Sequence, residues 1–501
     1  MSKFFKKTHK WVGLVIALLI ISFSLSGIVL NHRDLVSSVD IPRSWLPDEY
    51  DYRQWNNAAV RATCRIGPDS MLIYGNIGVW LSDSAFSRFT DFNQGFPKGI
   101  DSRKIFKILK TDSSLLAGTL WGLYWYNRTD HRWVKIQLPV HEENVVDMLS
   151  RGDSVLVLTR SHLLLTTDLL HFTEVPLPAP AHYDNKVSLF KTLWMIHSGE
   201  IYGQLGKLIV DGVAVVFLFL SVGGIILFFV KRGVKSKSVD QPRKEWYRRV
   251  FKWNLRWHNK IGWITAILLF FTVLTGMFLR PPLLIPIAKS RVAKIPFTEL
   301  DAPNPWFDVL RRIVYIPDRD IYIVSTSDGF YLFDSRFSRN AAFFPTQPPA
   351  SVMGVTVLEY LGEDELLVGS FSGLFRWNIS SGAVFDVIKN HPYLGAMAVG
   401  PPVGDHKVTG LSTDFPGGTI VFDYDKGAVN IEGESPFTPM PDEVIRQSPM
   451  SLWNLALEIH TARIYGALMG SFYILIVPLG GLLILLTVLS GYMIRHKKKV
   501  H

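Results

Sequence analysis

Four long apolar runs interrupt an otherwise mixed pattern of polar and apolar residues. They cover residues 11–30, 208–230, 261–279 and 471–494, and each is at least 19 residues long. A helix needs about 20 residues to cross a hydrocarbon layer of roughly 30 Å, so the runs predict four transmembrane helices. The first run is too long for the apolar part of a secretory signal and no small-residue cleavage site follows it, which predicts an uncleaved helix.

Between these runs, two long segments repeat a β-type pattern. Each repeat has a short apolar strand, a tight turn, and an alternating strand that ends in Asp or Asn. The turns lie at Gly78, Gly122, His162, Gly329, Gly373 and Gly418, with 40–45 residues between successive turns of one segment. This period is typical of four-stranded propeller blades. We predict one six-bladed β-propeller built from both segments, with two separate β half-domains as the alternative.

Composition narrows the range of functions. The 501 residues are 48% hydrophobic and 19% charged, which excludes a disordered or collagen-like chain and disfavours a cytosolic enzyme. Cys64 is the only cysteine, so the chain has no internal disulfide, no cysteine-based zinc site and no attachment motif for a c-type haem. Any haem would be held by side-chain ligands alone.

The basic residues predict the orientation in the membrane. Segments 1–10, 231–256 and 495–501 contain four, ten and four Lys/Arg residues. The positive-inside rule therefore places both termini and the middle basic segment in the cytoplasm, and both β-segments outside. These basic runs indicate contact with anionic membrane lipid and not with nucleic acid. The cytoplasmic pieces are too short to fold around a nucleotide or flavin, so an electron donor would be another molecule.

The predicted fold class is membrane α plus soluble all-β, with a four-helix transmembrane bundle made by duplication of a two-helix unit. We expect transmembrane helix 1 at 1–32, three β-blades at 33–190, helix 2 with an outer extension at 191–232, and a cytoplasmic loop at 233–256. Helix 3 follows at 257–280, three more blades at 281–450, and helix 4 with an outer extension and basic tail at 451–501.

The duplicated helices carry two matching pairs of histidines. A His-x3-Gly pattern opens the first and third spans, and a second glycine lies 18 residues after each histidine, on the same helix face. An I-H-x3-I-Y-G pattern precedes the second and fourth spans. These patterns contain His9, Gly13 and Gly27, then His258, Gly262 and Gly276, and finally His197 and His460.

Paired histidines on facing helices are the ligands that a b-type haem requires. His9 and His258 would form an inner site, with Gly13 and Gly262 leaving room for the flat ring. His197 and His460 would form an outer site, where Gly27 and Gly276 admit the macrocycle or let helices approach closely. A histidine at a membrane interface is otherwise a hydrogen-bonding group, which is our interpretation of His32 and His496. His32 is also the reserve ligand of the outer site.

The opening run H-K-W-V-G-L at His9, its relative at His258, and the I-H-x3-I-Y-G patterns at His197 and His460 resemble the PepSY-associated transmembrane helix family. That family includes iron-regulated inner-membrane proteins and ferric-siderophore reductases of bacteria. The resemblance implies two b-type haems, held by these four histidines, in a protein of the bacterial inner membrane with a periplasmic domain. Family members commonly carry PepSY-type α+β modules in the outer loops, where this sequence predicts β-repeats.

Our leading hypothesis is a haem-b electron-transfer protein that takes electrons from a cytoplasmic or quinol donor and reduces a ferric chelate outside. Four basic residues just after the third span would attract an anionic chelate or anchor the chain at the interface: Arg280, Lys289, Arg291 and Lys294. The alternative is a membrane-anchored periplasmic binding or sensing protein that acts through a partner. A transporter is less favoured, because the spans hold no obvious central acid or base.

Overall fold

The computed structural model describes residues 2–235, 240–351, 354–393, 404–433 and 435–499. The chain divides into two compact units. The helical unit comprises Met1–Val36, Asn185–Ala302 and Leu452–His501, and the β-unit comprises Ser37–Asp184 and Pro303–Ser451. Residues 281–302, which the sequence pattern assigns to the second β-segment, thus belong to the helical unit, where Arg291–Ala293 pairs with Lys186–Ser188.

Four helices in the described ranges are long and apolar enough to cross a membrane. These spans are Ser2–Asn31, Gly203–Lys235, Gln241–Met277 and Ile476–Lys499. The first and third spans each contact the second and the fourth. The spans therefore form a four-helix bundle in which the first and third helices occupy opposite corners.

The third span begins earlier than the sequence pattern indicates. The segment 233–256 was expected to be a loop, but it is helical up to Lys235 and again from Gln241 onward. Pro242 lies in the first turn of the helix, where its missing N–H leaves no hydrogen bond unmade. No glycine or proline follows until Gly262, and the intervening Lys, Arg and Glu residues favour a helix.

A short helix precedes each of the second and fourth spans. These helices are Leu189–Ser198 and Leu452–His460, and each carries a histidine in its last turn. The first short helix contacts the third span, and the second contacts the first span. Each short helix therefore packs against a span from the other half of the duplicated chain.

Apart from the short antiparallel pair of Asp40–Ile41 with Met450–Ser451, the β-strands of the β-unit form six antiparallel groups within the described ranges. The first three groups are Val60–Gly67, Ser70–Gly75, Gly78–Ser82 and Phe89–Asp91; Ile105–Lys110, Leu115–Thr119, Gly122–Asn127 and Arg132–Ile136; and Val145–Arg151, Ser154–Thr159, Leu163–Thr166 and Thr173–Val175. The last three are Leu310–Ile316, Ile321–Thr326, Gly329–Asp334 and Ala342–Phe343; Val355–Gly362, Glu365–Ser370, Gly373–Asn378, Val384–Asp386 and His391–Pro392; and Val408–Ser412, Ile420–Asp423 and Gly427–Asn430. A parallel pairing of Ala62 with Leu411 joins the first and sixth groups in one seven-stranded sheet.

The same irregularity marks the first strand of all six groups. The pairing register shifts once near the start of each of these strands, at residues 61, 106, 146, 311, 356 and 409. A β-bulge bends a strand and increases its twist. The turn glycines Gly122 and Gly329 also share a positive φ, at 131° and 134°. The six groups are therefore copies of one structural unit, as the sequence repeats predict.

Apolar side chains fill the space between successive groups. Six clusters of buried residues each draw on two groups: first and second, second and third, third and fourth, fourth and fifth, fifth and sixth, and sixth and first. Trp80, Trp133 and Trp377 are fully buried in these clusters. Burial of large aromatic rings between sheets is the main stabilising contribution in such a unit.

We expect the Asp147→Asn substitution to destabilise the β-unit. The buried Asp147 carboxylate accepts hydrogen bonds from the guanidinium of Arg312 at 3.3 Å and from the backbone N–H of Ile313 at 3.0 Å. Removing one charge from a buried pair leaves the other uncompensated, so the free energy of unfolding should fall by about 3 kcal/mol. Denaturant unfolding of the full chain, followed by tryptophan fluorescence, measures this loss.

The matched control is Asp405→Asn, which removes the acid of an exposed pair with Lys389 at 2.7 Å. An exposed pair contributes little because water screens it, so the unfolding midpoint should not change. Equal effects of the two substitutions would contradict the role assigned to Asp147.

Candidate functional site

His9 and His258 face each other across the helical bundle. The centroids of their rings are 6.0 Å apart and the ring planes are inclined by 82°. The Nδ1 atom of His9 lies 2.9 Å from the carbonyl oxygen of Thr487 on the fourth span. Because a carbonyl only accepts hydrogen bonds, Nδ1 carries the ring proton and Nε2 keeps its lone pair.

His197 and His460 form a second pair with the same spacing. Their ring centroids are also 6.0 Å apart, with an inclination of 49°. Nδ1 of His197 donates to the carbonyl oxygen of Thr272 at 2.9 Å, and Nδ1 of His460 donates to that of Phe23 at 3.0 Å. In both rings the Nε2 lone pair is therefore available to a ligand, as it is in His9.

Glycines in the spans allow the imidazole rings to lie close to the helix backbone. A Cβ atom on Gly276 would lie 2.6 Å from Cε1 of His197, and one on Gly27 would lie 3.2 Å from Cε1 of His460. A Cβ on Gly491 would lie 2.9 Å from Cε1 of His9. The structure thus brings Gly27 and Gly276 to the His197–His460 pair, directly against the imidazole rings.

These contacts define a histidine seat that occurs three times. Each seat consists of a Ser/Thr-Gly dipeptide and the carbonyl three residues before its hydroxyl residue. The hydroxyl oxygen of Ser26 lies 3.1 Å from Nδ1 of His460. That of Thr275 lies 3.4 Å from Nδ1 of His197, and that of Ser490 lies 3.4 Å from Nδ1 of His9. Carbonyl, hydroxyl and glycine together fix the orientation and the proton position of each ring.

His258 has a different environment. Its Nδ1 atom is buried and has no hydrogen-bond partner, although a Cβ on Gly223 would lie only 3.6 Å from it. Where the other seats have Ser or Thr followed by Gly, the second span has Gly223 followed by Gly224. The carbonyl of Gly223 instead accepts a hydrogen bond of 2.9 Å from the buried amide of Asn254, one turn before His258. The fourth seat therefore lacks a hydroxyl.

A cavity of about 370 Å³ adjoins the first pair. Gly13 and Gly262, the predicted space-making glycines, line it together with both histidines. Leucine, isoleucine and phenylalanine side chains from all four spans also line it. Its volume lies within the range of roughly 300–1,000 Å³ that is typical of sites for small molecules and cofactors.

Three further predicted residues have local partners. Nε2 of His32 lies 2.7 Å from Oδ2 of Asp211, so the reserve ligand is hydrogen-bonded to a carboxylate. Lys294 donates to the carbonyl of Ala302 at 2.7 Å, and Arg291 donates to that of Lys186 at 2.8 Å. The side chain of His496 lies outside the described part of the chain.

The β-unit contains a buried positive charge. The Arg61 guanidinium lies over the ring of Phe106, 4.6 Å from its centroid. Burial, assisted by the nearby charge of Arg312, lowers the pKa of Arg61 to about 9. Within the described ranges, no three His, Cys, Asp or Glu residues stand close enough together to hold a metal ion.

Comparison with known proteins agrees with the sequence patterns. A family model described as the PepSY-associated TM region matches residues 6–499. None of the curated proteins matches. Two similar solved structures show the extracellular domain of BT4673 from B. thetaiotaomicron, described once as a hybrid two-component and once as a one-component system. Each has 9% identity, a TM-score of 0.37 and coverage of 74% of this chain.

This chain spans about a third of the matched BT4673 chains, at 32% coverage. The computationally designed protein Ika8 has 9% identity and a TM-score of 0.31, with coverage of 75% of this chain and 97% of its own. The family match extends over both units and contains all four histidines and all four spans. The chain is a multi-pass membrane protein and belongs to the PepSY-associated transmembrane family.

Proposed function

We propose that this protein transfers electrons across a membrane through two b-type haems, one held by His9 and His258 and the other by His197 and His460. The observation that carries the proposal is the equal ring spacing of 6.0 Å in both pairs. Imidazole nitrogens bind metal ions at about 2 Å, and each ring centroid lies roughly 1 Å behind its nitrogen, so two imidazoles that share one metal ion would have centroids about 6 Å apart. The centroid spacing of both pairs agrees with this distance.

The protonation state of the rings also supports haem binding. The Nδ1–H groups of His9, His197 and His460 donate to main-chain carbonyls, which places the proton of each neutral ring on Nδ1 and leaves its Nε2 lone pair for a ligand. A bound haem supplies the one-electron chemistry. The chain holds the rings at a fixed spacing and surrounds the first pair with apolar side chains that exclude water.

The charge pattern supports a definite orientation in the bacterial inner membrane. With both termini and the basic segment in the cytoplasm, the His9–His258 pair lies near the cytoplasmic face and the His197–His460 pair near the periplasmic face. The β-unit is then periplasmic. Its six apolar clusters, which link each group to the next and the sixth to the first, support closure into a six-bladed propeller.

The partners follow from this orientation. The donor is a cytoplasmic protein or a membrane quinol, because the basic segments are too short to bind a flavin or nucleotide themselves. The acceptor is a ferric chelate in the periplasm, in line with the ferric-siderophore reductases that the sequence resembles. Both assignments are part of the proposal and share its test.

The test is the optical spectrum and haem content of the full chain, purified in detergent after expression with adequate haem. We expect reduced-minus-oxidised bands of bis-histidine haem b and two haems per polypeptide. A folded protein without these bands would refute electron transfer and favour the alternative of a membrane-anchored binding or sensing protein.

A further inference from the structure

The cavity beside the first pair has one strongly basic end. Lys6 and Lys10 of the first span and Lys231 of the second span line it. Nζ of Lys10 lies 4.7 Å from the ring centroid of Trp11 and 5.0 Å from that of Phe228. No Asp or Glu lines the cavity, and within the described residues no carboxylate pairs with any of the three lysines.

These features specify the ligand that the cavity suits. The apolar wall favours a hydrophobic body, the two histidines would hold its metal ion, and the three lysines favour negative charge at one edge. Lysine stems pack along apolar surface while their ammonium groups remain at its polar edge, where charge-assisted hydrogen bonds to carboxylates form.

We propose that Lys6, Lys10 and Lys231 bind the two propionate carboxylates of the haem held by His9 and His258. This inference rests on the proposed function and adds the residues that orient the cofactor. The propionate edge then faces the basic end of the bundle, and the lysines contribute to cofactor binding in addition to membrane topology.

A topology signal alone does not explain which lysines line the cavity. Lys7 lies between Lys6 and Lys10 in the sequence, and Lys235 and Lys244 lie in the same basic stretch of the chain as Lys231, yet none of these three lines the cavity. They provide a control that removes the same number of positive charges from the same region of the protein.

The experiment compares haem with haem dimethyl ester, which has the same ring and iron but no carboxylate charge. Full-length protein freed of haem is titrated with each porphyrin, and binding is followed by the Soret band in a His197→Ala chain, so that only the first pair binds. We expect preference for haem over the ester by about tenfold or more, because the ester lacks the carboxylates to which the lysines would donate charge-assisted hydrogen bonds.

The variant K6Q/K10Q/K231Q should bind both porphyrins equally, with its affinity for the ester unchanged, which also shows that it is folded. The control K7Q/K235Q/K244Q should keep the preference for haem. The inference would be overturned if K6Q/K10Q/K231Q still preferred haem to the ester, or if K7Q/K235Q/K244Q lost this preference as well. A chain with all four histidines that binds neither porphyrin would instead refute the proposed function itself.

Discussion

Replacing His9 or His258 by alanine is expected to leave one haem per polypeptide instead of two. The two pairs use separate residues, and under the proposed function each imidazole would be one of two ligands to the iron of its haem. Loss of one histidine leaves the other histidine of its pair without a partner ligand. The bis-histidine spectrum of that site should therefore disappear. The pyridine haemochrome assay gives the stoichiometry, and the low-temperature spectrum shows which set of bands disappears.

His197→Ala and His460→Ala should produce the reciprocal result, with the other set of bands lost. His32→Ala is the control, since its ring is bonded to Asp211 and should not affect haem content. Loss of both haems, or of neither, in any of the four ligand variants would contradict the assigned pairing.

Adding a single methyl group to a histidine seat should weaken one haem site selectively. Gly276→Ala places Cβ 2.6 Å from Cε1 of His197, and Gly491→Ala places it 2.9 Å from Cε1 of His9. The ring must move away from its productive position at a cost of about 1–3 kcal/mol, which corresponds to a tenfold to hundredfold loss of affinity at that site. Haem titration of each variant measures the loss.

Gly212→Ala is the matched control, because this helical glycine of the second span has no atom within 4 Å of the added Cβ. It should bind two haems with unchanged affinity. Unchanged binding in Gly276→Ala as well would show that the ring of His197 does not need its observed position.

The duplicated patterns in the sequence led directly to the residues that the structure brings together. His-x3-Gly and I-H-x3-I-Y-G each occur twice, so pairing follows from symmetry and from helix direction without knowledge of packing. The family resemblance, which rests on the same residues, is confirmed by the match over residues 6–499. The repeat of strands and turn glycines likewise predicted a large all-β domain, which the structure confirms.

Other features required the three-dimensional structure. Gly491 contacts His9 from a helix more than 400 positions away in the sequence, and the Ser490-Gly491 dipeptide is common enough in membrane helices to pass unnoticed. The sequence does not reveal the recurring bulge, because different residue types occupy the bulged position in different groups. Arg61, Val146 and Thr409 are three examples. The sequence pattern does not predict the helix over 241–256, because its basic residues are equally typical of a cytoplasmic loop beside the membrane and of a helix.

The crossed arrangement of the short helices has a consequence for how such a protein assembles. His197 is seated by the third span and His460 by the first, so neither half of the chain completes a seat for its own short-helix histidine. Two identical copies of one half, related by a twofold axis, would form both histidine pairs, because the short helix of each copy would pack against a span of the other. Because the two halves are covalently linked, their sequences can differ. Gly223, which occupies the place of the Ser or Thr in the other three seats, is such a difference, and no symmetric dimer could maintain it.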